Sequence, residues 1–176
     1  MSDTTRELGF DGERLVPDSY WVTDRLAAGE YPGHYDPVLA AGRIRRFEAA
    51  GVDLMIDLTE DRDGLEQYDG LLTSCARARY PIRDNDVPSV DQMARILDTI
   101  DEALAAGRTV YVHCWGGHGR TGTAVGCWLV RHGTTADDAI EQIRGWRRGI
   151  PKYGLNPESP QTTAQHAFVH AWQPHH

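Results

Sequence analysis

The sequence is poor in the features that would mark a membrane, secreted or nucleic-acid-binding protein. No apolar run approaches the roughly 20 residues that a membrane-spanning helix needs. The opening Met1-Ser2-Asp3-Thr4-Thr5-Arg6-Glu7 is polar and has no apolar targeting core, so a cytoplasmic chain is expected. Lys and Arg number 18 against 26 Asp and Glu. The net charge of −8 argues against nucleic acid or an anionic membrane as the main partner, because both are held by basic surfaces. Cysteine is confined to Cys75, Cys114 and Cys127, an odd number without close pairs, which excludes a disulfide framework or a zinc ribbon. No repeat, low-complexity tract or dividing linker is present. The 176 residues therefore read as one domain over 20–176, preceded by an N-terminal arm over 1–19.

What is present alternates between two periodicities. Tyr20-Trp21-Val22 and Leu26-Ala27-Ala28 are short strand candidates, and Ala40, Ile44 and Phe47 recur at helical spacing. Val52, Leu54, Ile56 and Leu58 alternate as in a strand, and Arg79-Tyr80-Pro81-Ile82 is a further strand candidate. Ser89 and Gln92 have the spacing of a capping box before a helix with Met93, Ile96, Leu97, Ile100 and Leu104 on one face. Thr109-Val110-Tyr111-Val112-His113 has the composition of a buried strand. Helices are expected over about 120–132, after a Thr134 or Thr135 cap, and from a Ser159-Pro160 start. Strands alternating with helices, then helices alone, predict an α/β fold with a central sheet flanked by helices.

The chemistry concentrates in Val112-His113-Cys114-Trp115-Gly116-Gly117-His118-Gly119-Arg120-Thr121-Gly122. A buried strand delivers Cys114 to its C-terminal end, where open α/β sheets bind ligands. A glycine-rich turn then enters a helix, whose unpaired N–H groups and dipole form an anion cradle. The same field favours a thiolate, since Cys at a helix N-terminus titrates as low as about 3.5–7.5. Arg120, six positions after Cys114, can hold two phosphoryl oxygens with its planar fork. A nucleophile, an anion nest and a bidentate cation are what phosphoryl transfer to sulfur requires.

His113-Cys114, five intervening residues and Arg120-Thr121-Gly122 resemble the signature of the protein tyrosine and dual-specificity phosphatase superfamily, in particular its compact dual-specificity members of bacterial type. The resemblance implies a mostly parallel sheet, a phosphocysteine on Cys114, and phosphate held by Arg120 and the backbone of Trp115, Gly116, Gly117, His118 and Gly119. It implies that Thr121 stabilises the leaving sulfur and that His113 orders the loop. Pro81-Ile82-Arg83-Asp84 is similar to the family's acid loop, which makes Asp84 the general acid, with Asp86 as second choice. Gln161-Thr162-Thr163-Ala164-Gln165 is similar to the loop that positions the hydrolytic water in tyrosine-specific members, nominating Gln161 and Gln165. No metal or organic cofactor is implied. The expected substrate is a phosphorylated protein, or alternatively a small phosphorylated metabolite, nucleotide or inositol phosphate.

Other readings of the same residues are weaker. Gly117-x-Gly119-x-x-Gly122 satisfies a dinucleotide-binding fingerprint, but the helix after it is followed by more helix rather than a second strand. A silent phosphate-binding module would keep the cradle and Arg120 but lack a working acid, and intact Cys114, Arg120 and Asp84 count against it. Cys127, inside the helix after the loop, reads as core. Arg144, Arg147, Arg148 and Lys152 read as a solvated helix end, or as a recognition patch for a second phosphate or an acidic segment. Tyr31, His34 and Tyr35 are candidates for a substrate-selecting border.

Overall fold

The structure is a computed structural model and describes residues 14–175; most of the expected arm, residues 1–13, lies outside them. Five strands form one sheet in the order β1-β2-β5-β3-β4, with β1 over Ser19–Trp21, β2 over Leu26–Gly29, β3 over Val52–Asp57, β4 over Ala76–Arg79 and β5 over Thr109–His113. Only the β1–β2 pairing is antiparallel; β2–β5, β5–β3 and β3–β4 are parallel. Among the described residues five α-helices accompany the sheet: α1 (Pro37–Ala49), α2 (Val90–Ala105), α3 (Arg120–Arg131), α4 (Ala136–Arg147) and α5 (Thr163–Ala171).

The alternation of side chains along the central strands divides the core into two layers. Val110 and Val112 of β5, with Leu54 and Ile56 of β3, face α2, α3, α4 and α5. Tyr111 and Met55 face the other way, onto Ile44 and Phe47 of α1. Val52 joins the α1 layer although Leu54 does not, because the β3–β5 register shifts between them. The register also aligns the strand ends. Gly29 of β2 and Asp57 of β3 both lie opposite His113, so three strands finish at one level of the sheet. Residues just beyond that level share one crevice.

Two sequence expectations shift. The fourth strand is Ala76–Arg79 rather than 79–82: its Ala-Arg alternation suits an exposed edge, and beyond it Tyr80 and Ile82 only donate isolated hydrogen bonds to Asp57 and Leu58. The last helix starts at Thr163, not at Ser159-Pro160. Thr162 and Gln165 close a reciprocal capping box, whereas the Ser159 hydroxyl is spent on the His118 carbonyl at 2.7 Å. Ser89 does cap α2 and Thr135 caps α4, but the Gln92 side chain donates to Pro81 O instead of completing a box.

Candidate active site

Cys114 follows directly on β5 and is 3% exposed. The chain then curls back over it, so that the Gly117 N–H points at Cys114 Sγ at 3.3 Å. This turn requires glycine at 117. Its φ is +79°, and a Cβ there would stand 2.4 Å from the Gly29 carbonyl carbon and 2.5 Å from Glu30 N. The β2 side of the crevice is tied to the turn by Tyr31 N–H donating to Trp115 O at 2.9 Å. Gly119 stands at the N-cap of α3 and Arg120 opens the helix, so the first-turn N–H groups, which have no partner within the helix, begin just after the turn that curls over Cys114. Thr121 is fully buried, and its hydroxyl has no hydrogen-bond partner among the described residues. The other two cysteines lie in different surroundings. Burial, then Glu48 and Asp53, push the Cys75 thiol up to about 12, and burial raises Cys127 further within α3.

Arg120 is buried, and its guanidinium is held on several sides. Nη1 donates to Asp63 Oδ2 at 2.7 Å and to Ile82 O at 3.0 Å, and Nη2 reaches Asp63 Oδ1 at 3.4 Å and Asp84 Oδ1 at 3.3 Å. Burial works against its charge, but the Asp63 hydrogen bond, Cys114 and Asp84 outweigh that and hold the cation firmly. Asp63 is absent from the residues that the sequence nominates. It closes a short 3₁₀ turn, Asp61–Asp63, whose φ-positive Gly64 ends the element. The visible signal was Glu60-x-x-Asp63-Gly64, a cap followed by a glycine stop, in a stretch that otherwise reads as a polar loop.

Beneath the loop, His113 is fully buried in a polar network that the sequence also left unassigned. Its Nδ1 lies 3.1 Å from Cys114 O and its Nε2 lies 2.7 Å from the Tyr68 hydroxyl. Burial lowers the His113 titration despite Asp57, whose Oδ1 is 3.8 Å away. The ion pair here is Asp57 with Arg77, not with His113. Burial disfavours the Asp57 charge, but the hydrogen bonds from Thr59 to Oδ1 and from the Arg77 guanidinium to Oδ2 keep it anionic. Arg77 also lies 4.5 Å over the Tyr68 ring and pairs with Asp69.

The acid-loop candidates separate. Asp84 is half-exposed, borders the cavity and touches Arg120, while Asp86 Oδ1 accepts from its own neighbour Val87 N at 2.9 Å. Asn85 between them has φ +61° and donates to Asp84 Oδ2 at 3.0 Å. The two glutamines separate as well. Gln161 lines the cavity. Gln165 is fully buried: its Oε1 accepts from Gln161 N and Thr162 N, and its Nε2 donates to Asp86 O at 3.1 Å. It ties the last helix to the acid loop. His118 borders the cavity, with its titration lowered by burial and then by Arg147 and Lys152, against a hydrogen bond with Gln161.

These residues enclose about 360 Å³ with Cys114 in the lining and half-exposed Trp115 at the edge. The basic residues read as a solvated helix end, or alternatively as a recognition patch, have separate partners. Arg147 is buried and carries the carbonyls of Asn156 and Pro157, Arg144 and Arg148 pair with Glu141, and Lys152 reaches the cavity but pairs with Asp18 and Glu30 at 3.0 and 2.7 Å. Among the described residues no group of three or more His, Cys, Asp or Glu side chains is arranged to hold a metal, and no helix is long and apolar enough to cross a membrane.

Residues 37–134 match the family model described as polymorphic toxin system, DSP-PTPase phosphatase. A phosphatidylglycerophosphate phosphatase of Arabidopsis thaliana, PTPMT2, is 31% identical over 123 residues, covering 65% of this chain and 50% of that protein. The chain spans half or less of the length of the curated relatives it matches, which include proteins of a virus, an archaeon and a plant, and so bear on the family rather than on a bacterial origin. The structure of Tk-PTP in its active form superposes with a TM-score of 0.70 at 25% identity, covering 87% of this chain and 94% of that one. Kinase associated phosphatase shares the fold at 18% identity, with a TM-score of 0.68 over 82% of this chain and 83% of that one. With a strand-delivered cysteine, an arginine-headed helix and a family match over more than half of its length, this chain belongs to the DSP-PTPase phosphatases.

Proposed function

We propose that the protein hydrolyses phosphomonoesters through a phosphocysteine on Cys114, with phosphorylated Tyr, Ser or Thr side chains of proteins as substrates. The observation that carries this reading is the convergence of Cys114 Sγ, the Gly117 N–H at 3.3 Å and the Arg120 fork on one cavity bordered by Asp84. The thiolate attacks phosphorus, the bond from phosphorus to the ester oxygen breaks, and Asp84 delivers a proton to the departing oxygen. Arg120 and the N–H groups of residues 115–120 hold the equatorial oxygens throughout. Water, oriented by Gln161, then attacks phosphorus while Asp84 takes its proton. The sulfur leaves towards the unpartnered Thr121 hydroxyl, and inorganic phosphate is released. Gln165, whose amide is bonded to backbone, holds the acid loop and the water-positioning segment in register.

A single phosphate suits this cavity better than a phosphate-dense headgroup. Trp115, Gly116, Gly117 and Gly119 carry no charge, burial lowers the His118 titration, and Lys152 is already paired with two carboxylates. The test is hydrolysis of p-nitrophenyl phosphate in EDTA by wild type, Cys114→Ser and Asp84→Asn, with acid-quenched protein examined for phosphate on Cys114 by mass spectrometry. Loss of turnover in Cys114→Ser, slowed turnover in Asp84→Asn and a trapped phosphocysteine are expected. Turnover in Cys114→Ser equal to wild type overturns the mechanism.

A further inference from the structure

The catalytic cavity is the first of three adjoining depressions. It shares Trp115 and Lys152 with a second, of about 440 Å³, which runs past Tyr31, His34 and Tyr35 on one side and Leu65 and Glu66 on the other. The second shares His34 and Arg43 with a third, of about 380 Å³, which lies along the first turns of α1 and is floored by Leu15, Val16 and Pro17. Val38 and Leu39 line this third depression and are 77% and 54% exposed, and neighbouring Tyr35 is 84% exposed. A lone exposed apolar side chain is ordinary, but neighbouring ones that line one depression are the pattern of an interaction site. Val38, Gly42 and Arg46 follow one another at four-residue intervals, so the apolar end and the basic end share one helix face, about 12 Å apart at the helical rise.

We infer that the three depressions form one track for an extended phosphopeptide. The phosphorylated side chain enters the Cys114 cavity, the adjoining backbone crosses between Trp115 and the His34-Tyr35 pair, and an apolar side chain flanked by an acidic residue docks against Val38 and Leu39 beside Arg46. This rests on the phosphatase reading of the same site and deepens it by naming the apolar and acidic anchor that selects among phosphoprotein substrates. A small metabolite would fill the first depression and leave the other two uncovered. A second copy of the chain is a poor occupant, because a few exposed apolar side chains on one helical turn fall well short of the roughly 800 Å² per partner that a stable pair buries. The charges also favour a peptide with acidic residues near its apolar anchor. Arg46 at the third depression is exposed, whereas Arg43 is already bonded to Gly33 O at 2.9 Å and to Glu30 at 3.3 Å.

The test compares kcat/KM for p-nitrophenyl phosphate, free phosphotyrosine and a panel of phosphotyrosine peptides in which a Leu-Glu pair is stepped outward on either side. The variant is Val38→Asp/Leu39→Asp. Both positions are exposed in the first turn of α1, where acidic residues suit the helix dipole, so folding is preserved. The best peptide should exceed free phosphotyrosine by at least about tenfold, the variant should remove that gain, and p-nitrophenyl phosphate should change less than about twofold. Arg46→Glu should reverse the preference for Glu over Lys beside the Leu. Equal rates for free phosphotyrosine and every peptide, or a variant as good as wild type on the best peptide, overturns the proposal. So does a variant that alters only sedimentation mass, which would make the patch a contact between copies. Should no phosphoester be hydrolysed, the mechanism fails separately; phosphopeptide binding to Cys114→Ser, measured by fluorescence anisotropy, still supports the track if Val38→Asp/Leu39→Asp weakens it, and overturns it if not.

Discussion

Replacing Tyr68 by Phe removes one oxygen from a buried contact, and the loss should be felt at the nucleophile. The Tyr68 hydroxyl and His113 Nε2 are 2.7 Å apart, and both residues are buried. Burial drives the Tyr68 phenol far above its ordinary titration and His113 below its own, so the hydroxyl keeps its proton and donates it to a neutral imidazole. The remaining ring proton then sits on Nδ1 and donates to Cys114 O. In Tyr68→Phe, Nε2 has no donor. The other tautomer offers no escape: a proton on Nε2 meets no acceptor, and a bare Nδ1 faces the Cys114 carbonyl. An unsatisfied buried group costs about 1–3 kcal/mol. At about 2–4 °C per kcal/mol for a domain of this size, a central loss of about 2 kcal/mol lowers Tm by about 4–8 °C. Part of the loss falls on the loop, because one face of His113 is bonded to it; alkylation of Cys114 by iodoacetate should slow by about 5–30-fold, as 1–2 kcal/mol implies. Thermal unfolding and alkylation rates across pH measure the two effects. An unchanged Tm refutes the hydrogen-bond argument. A lowered Tm with unchanged alkylation refutes the link from Tyr68 to the nucleophile.

Other substitutions probe separate parts of the reasoning. Gly117→Ala forces a left-handed backbone at about 1–2 kcal/mol and drives a Cβ into the backbone at Gly29 and Glu30, so vanadate binding by calorimetry should be lost; affinity equal to wild type would show that the loop does not need this conformation. Asp63→Ala leaves the buried Arg120 without its bidentate partner and should cost about 3–5 kcal/mol in urea unfolding, with added phosphate restoring more stability to the variant than to wild type; equal restoration refutes the compensation argument. Glu48→Gln tests a pH dependence. Desolvation pushes the Glu48 carboxyl up, but hydrogen bonds from Ser74, Thr73 and Cys75 overcome it and hold it at about 2. Its stabilisation is therefore present above the unfolded carboxyl range near about 4.3 and lost as pH falls towards about 2. After discounting for solvent screening, the variant should be less stable by about 1–2 kcal/mol at neutral pH, with the gap closing in acid; a gap that persists in acid contradicts the assignment.

The parts of the fold legible in the sequence are those set by local patterning. The Thr109–His113 strand, the apolar face of α2 and the glycine-rich turn into α3 each carry their signal within a dozen residues, and together they place Cys114 at a sheet edge. What escaped depends on contacts distant in sequence. Asp63 meets Arg120 across 57 positions and Tyr68 meets His113 across 45, and both lie in a polar stretch with no periodicity to read. β4 escaped because an edge strand of alternating Ala and Arg has no apolar face. Ser159 was misplaced for a related reason. Its hydroxyl suits a helix cap, but the His118 carbonyl competes for it from 41 residues away, and no local rule could rank the two. The glutamines show the same limit: four residues apart on one segment, one borders the cavity and the other is consumed by backbone.

The arrangement around Arg120 accounts for why this site needs two carboxylates with unequal exposure. A buried guanidinium without an anion is costly, so a site that waits empty must supply its own counter-charge. A phosphoryl group can use Arg120 only if that counter-charge is partly removable. Asp63 is 5% exposed and grips both arms of the fork, whereas Asp84 is 51% exposed and touches Nη2 alone. In the proposed mechanism an incoming dianion therefore exchanges with Asp84 and not with Asp63. On that reading the fork keeps its orientation through Asp63, and Asp84 is released beside the ester oxygen that needs a proton. The proposed mechanism thus couples binding and proton delivery through a single exchange of partners. That coupling requires Asp63 to stay in place on both arms of the fork, which sets Asp63 in the same proposed unit as Cys114, Arg120 and Asp84.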